Sequence, residues 1–153
     1  MPKLTDEEKR ARKVQRTLDR FKTLRIGKCI NETARLFQKV VRTKAVEPDG
    51  KLTCCSCGKR DYAGKHFDAG HWIGRTSKAT VFHPFNCHAQ CVGCNRFGAG
   101  PVKANYDEFM RRTYGQETMD ELVRLSNTSK QWTRWELAEL YVSFLDDLKW
   151  ESL

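Results

Sequence analysis

Two Cys-x-x-Cys pairs constrain the fold of this chain more than any other feature. The first pair is Cys54 and Cys57, the second is Cys91 and Cys94, and 33 residues separate the two pairs. Each pair has the spacing of half a tetrahedral zinc site, so two pairs can complete one site. Four thiolates leave no coordination position for a substrate. The pattern therefore predicts a structural Zn²⁺ that closes the residues between the pairs into a loop.

The cellular compartment decides whether cysteines bind metal or form disulfides. The chain begins MPKLTDEEKR, which is too polar for a signal peptide, and no apolar run approaches the roughly 20 residues of a membrane span. We therefore expect a cytoplasmic protein, whose seven cysteines stay reduced. We interpret Cys55 and Cys87 as bystanders to the zinc, although either could replace one of the four ligands. His66 and His83 are weaker candidates for the same replacement.

The positive charge is concentrated at the N-terminus. The net charge is +9, and residues 1–46 carry fourteen Lys and Arg against five Asp and Glu. In residues 116–153 the balance reverses, with four basic residues against eight acidic ones. A basic segment suits a polyanion, most often nucleic acid, although a solvated helix can have the same composition. The candidate DNA contacts of this segment are Arg10, Lys13, Arg16 and Arg20.

Residues 1–46 are predicted to form a basic helical arm. Thr5 and Glu8 have the spacing of a capping box, and Gly27 is the expected break before a second helix. Cys29 lies near the apolar stripe of that second helix and is interpreted as a small buried residue. The turn residues Glu47-Pro-Asp-Gly50 mark the end of the arm.

Residues 47–104 are predicted to form the zinc-bound core. Lys51–Thr53 is expected to be a short strand, and residues 59–65 a loop. The aromatic and β-branched content of residues 66–73 and 80–82 predicts a hairpin joined by residues 74–78. From Asn86 onward we expect a helix, which carries Cys91, Cys94 and Asn95.

Residues 105–153 are predicted to form a C-terminal helical region packed on the core. Helix starts are expected at Asn105, at Thr118–Glu121 and at Thr133–Glu136. Tyr106 is expected on the inner side of the first of these helices. Strands in the middle of the chain and helices on both sides give an α+β fold class.

The loop closed by the zinc contains the residues that suggest a function. It holds Asp68-Ala-Gly-His71 and Asn86, and Asn95 follows the last cysteine directly. A histidine on a strand, followed by a helix that carries an asparagine, resembles the ββα-metal (HNH-like) nucleases. The series CxxC, DAGH and NxHxQCxxCN resembles the NinG/Rap family of lambdoid phage recombination proteins over most of the chain.

That resemblance implies a zinc-stabilised ββα-metal (HNH-like) core and an enzyme. The implied activity is a structure-selective DNA endonuclease, a metal-dependent hydrolase acting on branched recombination intermediates such as Holliday junctions and D-loops. The implied location is the cytoplasm of the bacterial host cell. DNA is the implied partner, with no membrane and no small-molecule substrate.

The chemistry of phosphodiester hydrolysis gives these residues candidate roles. His71 suits the general base, because its unperturbed pKa of roughly 6.5 leaves it largely neutral in the cell. Asn95 suits a ligand of one catalytic Mg²⁺ or Mn²⁺, and the CxxCN ending is similar to that of the phage endonuclease VII proteins. Asn86 resembles the middle asparagine of HNH motifs, which holds the hairpin loop and so positions the base.

Asp68 departs from the commoner pattern. Many HNH proteins have the metal-binding aspartate directly before the histidine, whereas here it stands three residues before His71. The arrangement is similar to the DRGH motif of non-specific ββα-metal nucleases. Asp68 is accordingly expected to bind the catalytic metal, directly or through water, or to orient the site.

The remaining candidates keep more than one interpretation. His88 is a second metal ligand, a phosphate contact or a satisfied structural histidine. Arg75, Lys78 and Arg96 flank the proposed site, and each is either a phosphate contact or a solvated residue.

Two non-enzymatic functions compete with the nuclease. One is a zinc-stabilised module that binds branched or single-stranded DNA, or RNA, without cutting it. The other is a degenerate HNH fold that serves as a docking scaffold. Resolution of a four-way junction takes two symmetric nicks, so the nuclease interpretation also predicts a homodimer.

Overall fold

The computed structural model describes residues 3–64 and 66–150, with Trp150 described by its backbone alone. They form two compact units, one from residues 3–40 and 131–150 and the other from residues 41–130. Helices combined with two small sheets confirm the α+β class. The three-part division predicted from the sequence stays a prediction. Within the described residues, no helix is long and apolar enough to cross a membrane.

Capping boxes start two helices of the first unit. Helix α1 is Asp6–Lys22, and Thr5 Oγ1 accepts a hydrogen bond from the Glu8 amide at 3.2 Å while the Glu8 carboxylate accepts from the Thr5 amide at 2.7 Å. Thr133 and Glu136 make the same reciprocal pair, at 3.2 and 2.8 Å, before the C-terminal helix Arg134–Trp150. Two of the three predicted boxes, those at Thr5 and Thr133, are thus confirmed, and each satisfies backbone donors that a helix start leaves unpaired.

Aromatic and aliphatic side chains form the core of this unit. Phe21 meets Tyr141 edge-on with ring centroids 5.7 Å apart, and Phe37 lies 5.2 Å from Phe144. Full burial of each such side chain contributes about 1.5–3 kcal/mol. Cys29 is buried as predicted, and its thiol contacts the Phe21 carbonyl at 3.5 Å.

The break between the first two helices is not at Gly27. Helix α1 ends at Lys22 and helix α2, Ile26–Lys44, already includes Gly27. The Arg134 guanidinium explains the position of the break, since it donates to the carbonyls of Phe21 at 3.0 Å and Leu24 at 2.9 Å. The Phe21 carbonyl also accepts from the Leu24 amide at 3.1 Å, in the turn that ends α1.

The second unit begins with a small antiparallel ribbon. Strand β1, Lys51–Thr53, is confirmed, but part of the predicted loop at residues 59–65 is strand β2, Arg60–Tyr62. Arg60 donates to Glu47 at 2.6 Å and pairs with Asp49 at 2.9 Å. A strand this polar lacks the apolar alternation by which strands are recognised in a sequence.

The predicted hairpin has a different second strand. Strand β3 is Phe67–His71, and it pairs antiparallel with strand β4, Cys87–Cys91, rather than with residues 80–82, which form a turn. Helix α3, Val92–Phe97, therefore starts later than predicted, with Cys91 as its N-cap. The sequence CHAQC has no β-branched residue, so its strand identity comes from pairing with β3 and from burial.

Helix α4, Pro101–Ser126, consists of two helical segments that meet at a kink, and the C-terminal helix Arg134–Trp150 becomes α5. The first segment begins at Pro101, so Asn105 lies inside it and not at its start as predicted. The second segment follows Gly115, close to the helix start predicted at Thr118–Glu121. Gly115 interrupts the helix with φ +82°, a left-handed conformation in which glycine carries no steric penalty.

Candidate metal centre and active site

The four cysteines selected by their spacing lie together. Cys54 and Cys57 lie in the turn between β1 and β2, Cys91 ends β4, and Cys94 is on α3. Their Sγ atoms all lie within 4.8 Å of one another, and the Cys57–Cys91 separation is 3.7 Å. Thiolates around a tetrahedral zinc lie about 3.8 Å apart, so the cluster can hold a metal ion such as zinc.

The other two cysteines of this region lie outside the cluster. The Cys55 thiol contacts Ser56 Oγ at 3.8 Å, and Cys87 Sγ lies 3.7 Å from His71 Nδ1. Burial raises the pKa of each thiol to about 12, which keeps both protonated. Neither thiol belongs to the group of four that converge, and this position outside the cluster fits bystander cysteines.

His71 ends strand β3 with both ring nitrogens engaged. Nε2 lies 2.9 Å from the Val81 carbonyl oxygen, and a carbonyl only accepts, so Nε2 carries the proton. In the neutral ring Nδ1 then holds the lone pair, and its neighbour is the Cys87 thiol at 3.7 Å. Burial lowers the pKa of His71, so the neutral form persists to lower pH than for a free histidine.

Asn86 is fully buried and holds the β3–β4 connection in place. Its Oδ1 accepts from the Ile73 amide at 2.8 Å, and its Nδ2 donates to the carbonyls of Ile73 and Thr80, both at 3.0 Å. Its own carbonyl accepts from the Trp72 amide at 2.9 Å. The Asn86 side chain thus links Ile73 and Thr80 within the β3–β4 connection. This connection contains Val81, whose carbonyl oxygen contacts His71.

Asp68 forms a second constellation with two residues of α3. Its carboxylate accepts from Asn95 Nδ2 at 3.0 Å, and from Arg96 Nε and Nη2 at 2.9 and 3.1 Å. The hydrogen bond from Arg96 is the main cause that lowers the pKa of Asp68. The structure therefore brings together three of the predicted site residues, from a strand and a helix 27 residues apart.

His71 lies on the opposite face of the strand from Asp68. The β3–β4 register pairs Asp68 with Gln90 and His71 with Cys87, and side chains alternate between the two faces of a strand. Three residues of extended chain span about 10 Å. The DAGH motif therefore places its acid and its histidine on different faces, about 10 Å apart along the strand.

The glycine of this motif has a packing reason. A Cβ atom at Gly70 would collide with the amide oxygen of Gln90 on the neighbouring strand. Gln90 is buried and donates to Ser56 Oγ at 2.7 Å, which fixes its side chain over Gly70. A side chain in place of this glycine would therefore force the Gln90 side chain out of its position against Ser56.

His88 has a structural environment rather than an open one. Tyr106 donates to the Gly70 carbonyl at 2.8 Å, so its oxygen accepts from His88 Nδ1 at 2.9 Å. His88 Nε2 then accepts from the Tyr114 hydroxyl at 2.8 Å. Both nitrogens are occupied, and burial lowers the pKa of His88 to about 4. In this structure neither nitrogen is available to a metal ion or a phosphate.

Helix α4 supplies contacts that the sequence did not assign to the site. No sequence pattern indicated a role for Tyr114, and Tyr106 was predicted only as a packing residue. Asp107 Oδ1 accepts from Trp72 Nε1 at 2.6 Å and from Lys103 at 2.7 Å. The carbonyl of Gly70 and the ring of Trp72, on either side of His71, are thus both bound to α4.

The candidate phosphate contacts fall into two groups. Arg75 and Lys78 are exposed on the β3–β4 connection, whereas Arg96 is paired with Asp68. The α1 group belongs to the other unit and is partly neutralised: Lys13 pairs with Asp146 at 2.9 Å and Arg20 pairs with Glu32, while Arg10 and Arg16 are exposed.

The fold and the site define an α+β protein with a four-cysteine cluster that can hold a metal ion such as zinc. Comparison with known families shows to which family the chain belongs. The chain belongs to the family described as Bacteriophage Lambda NinG protein, whose model matches residues 2–151. The family membership predicted from the motifs is confirmed.

Individual relatives come from several phages. Protein ninG of Escherichia phage lambda is 33% identical over 115 residues, which are 73% of this chain and 53% of that protein. Protein ninG of Salmonella phage P22 is 30% identical over 115 residues, 73% of this chain and 54% of that protein. The chain thus spans about half the length of these curated relatives. No solved structure matches it.

Proposed function

We propose that this chain is a structure-selective, divalent-metal-dependent endodeoxyribonuclease. Its substrates are branched recombination intermediates such as Holliday junctions and D-loops, formed during phage recombination. The observation that carries the proposal is the contact of His71 Nε2 with the Val81 carbonyl oxygen at 2.9 Å. Because the carbonyl accepts a hydrogen bond from Nε2–H, Nδ1 is the basic nitrogen of the neutral, partly buried ring.

A base in this state can take a proton from an attacking water. Because burial lowers the pKa of His71, the ring stays in its neutral, basic form at neutral pH. Asn86 keeps the Val81 loop closed, and so it acts as a positioning residue for the base. Arg75 and Lys78 would hold phosphates of the bound strand, a role that their charge and their exposure on the same connection support.

The Asp68 constellation fits a catalytic Mg²⁺ or Mn²⁺. A carboxylate and an amide oxygen, from Asp68 and Asn95, are the hard donors that such ions prefer, and the carboxylate already attracts the cationic Arg96. A bound ion would stabilise negative charge on the leaving oxygen. Asp68 and His71 lie about 10 Å apart on different strand faces.

The four-cysteine cluster has a structural role in this proposal. Cys54, Cys57, Cys91 and Cys94 would hold Zn²⁺ and close β1, β4 and α3 around it. Asn95 directly follows Cys94, so the zinc fixes the helix turn that carries a ligand of the catalytic ion. Two symmetric nicks of a four-way junction require two sites, and we accordingly propose a homodimer.

Cleavage of a DNA panel tests the proposal. The full chain, loaded with zinc, is incubated with a four-way junction, a D-loop, plain duplex and single strands, in Mg²⁺, in Mn²⁺ and in EDTA. We expect nicks in the branched substrates, dependent on the divalent ion and absent from plain duplex. A protein that nicks none of these DNAs in either ion would contradict the proposal.

A binding module that does not cut DNA is the second candidate. Two observations favour it: the basic nitrogen of His71 faces the Cys87 thiol at 3.7 Å, and Arg96 occupies both oxygens of Asp68. A module of this kind would bind the same junctions with strong salt dependence and leave them intact. The cleavage panel, run beside a binding titration, separates the two functions.

A further inference from the structure

Arg96 occupies the position where the proposed catalytic ion would bind. Its Nε and Nη2 donate to the two oxygens of Asp68 at 2.9 and 3.1 Å, so the guanidinium takes the whole carboxylate. Asn95 adds its Nδ2, and not its oxygen, at 3.0 Å. A divalent ion on Asp68 needs the carboxylate lone pairs to which Arg96 donates, and the amide oxygen of a rotated Asn95.

We infer that Arg96 is an exchangeable counterion: it leaves Asp68 when the divalent ion binds and then binds a phosphate of the DNA substrate. This inference rests on the proposed function and concerns the same site. It assigns Arg96 two alternative partners, whereas the sequence suggested a phosphate contact or a solvated residue.

The exposure of the pair makes the exchange possible. The Arg96 side chain is 60% exposed and that of Asp68 is 22% exposed, so water replaces either contact readily. Ion pairs this exposed are weak, and their loss changes an equilibrium constant by about two- to fivefold. A doubly charged ion with oxygen ligands can displace such a partner. A guanidinium tightly enclosed by the protein could not leave so easily.

The geometry of the guanidinium suits both partners. Its planar fork matches two oxygens of a phosphate as well as those of a carboxylate. Arg96 also lies in the last turn of α3, directly after Asn95, so its side chain stays near the ion after release. Divalent ion and DNA should therefore each raise the affinity for the other by one common factor, as linkage requires.

Mn²⁺ binding without DNA tests the exchange. The chain, loaded with zinc, is titrated with Mn²⁺, and free Mn²⁺ is followed by its electron paramagnetic resonance signal. We expect Arg96→Gln to bind Mn²⁺ about two- to fivefold more tightly than wild type, because the competing cation is gone. Asp68→Asn should abolish this binding.

Arg60→Gln is the matched control. Arg60 is also an exposed arginine paired with carboxylates, Glu47 and Asp49, in the same unit. The Arg60→Gln substitution removes the same charge as Arg96→Gln but leaves the Asp68 site unchanged. The Mn²⁺ affinity of this variant should therefore stay within about twofold of wild type. Arg96→Lys keeps a charge but loses the fork, and its affinity should lie between those of Arg96→Gln and wild type.

Several results would overturn the inference. Arg96→Gln with Mn²⁺ affinity equal to or weaker than that of Arg60→Gln means that Arg96 does not compete with the ion. If Asp68→Asn binds Mn²⁺ as tightly as wild type, the ion does not bind at Asp68. Zinc content and circular dichroism confirm that each variant is folded.

Failure of this inference and failure of the proposed function look different. If wild type nicks junctions and Arg96→Gln gains no Mn²⁺ affinity, the exchange is wrong and the nuclease stands. If Mn²⁺ affinity rises as expected and no DNA is nicked, the exchange stands and the nuclease is wrong.

Discussion

The four-cysteine cluster and the Asp68–His71 region differ in how their side chains are arranged for a ligand. The four thiols converge within 4.8 Å of one another. In the other region, Asp68 is paired with Arg96, His71 faces Cys87, and the two side chains lie on opposite faces of β3. A structural ion needs ligands that stay together, whereas a hydrolytic site must exchange its partners for water, ion and phosphate.

Removal of one zinc ligand should have the largest effect. Cys94→Ser leaves three thiols, and structural zinc contributes about 10–16 kcal/mol of apparent binding free energy in small modules. We expect the zinc content to fall from about one ion per chain to near zero, with loss of the structure of residues 41–130. Atomic absorption and circular dichroism measure both.

Cys55→Ala is the control for that experiment. Its thiol lies outside the cluster, against Ser56, so the variant should keep its zinc. Equal loss of zinc in the two variants would mean that Cys55 is a ligand and that the four-cysteine assignment is incorrect.

Asn86→Ala tests how firmly the base is positioned. The change leaves the Ile73 amide and the carbonyls of Ile73 and Thr80 without their buried partner, which should cost about 3–5 kcal/mol of unfolding free energy. Urea unfolding measures it. Asn105→Ala, at an exposed position on α4, should change stability by less than about 0.5 kcal/mol, and comparable losses in both would refute the positioning role.

His88 should make stability depend on pH. Burial lowers its pKa from 6.5 to about 4, so between these values the unfolded chain binds more protons than the folded one. The contribution of neutral His88 to the free energy of unfolding is therefore fully present above pH 6.5 and is lost as the pH falls toward 4. At about pH 4.5 the loss should reach about 2–3 kcal/mol.

The variant His88→Gln isolates this contribution, because it shares every other titrating group with wild type. Urea unfolding at neutral pH and at about pH 4.5 should show that the variant loses about 2–3 kcal/mol less than wild type. Equal losses would show that His88 protonates as easily in the folded protein as in the unfolded chain.

The sequence predicted what depends on short-range pattern. The spacing of Cys54, Cys57, Cys91 and Cys94 selected the four thiols that converge, because each pair of ligands comes from one turn. The capping boxes at Thr5 and Thr133 were predicted correctly for the same reason, because the two residues of each box are only three positions apart in the sequence.

Features set by tertiary contacts were missed. Strand β4 has a sequence without strand propensity, and its identity comes from pairing with β3. The engagement of His88 by Tyr106 and Tyr114 depends on the path of α4, which no local pattern specifies. The sequence predicted that the strand with Asp68 and the helix with Arg96 lie in the same core. It did not predict the hydrogen bonds between the two side chains.

One comparison tests the central claim most directly: nicking of a four-way junction in Mg²⁺ by wild type, His71→Ala and His66→Ala, with binding measured in parallel. His66 is an exposed histidine just before β3, and serves as the matched control. The account predicts that His71→Ala loses nicking by at least about 100-fold and still binds the junction, while His66→Ala retains both. Undiminished nicking by His71→Ala would contradict it.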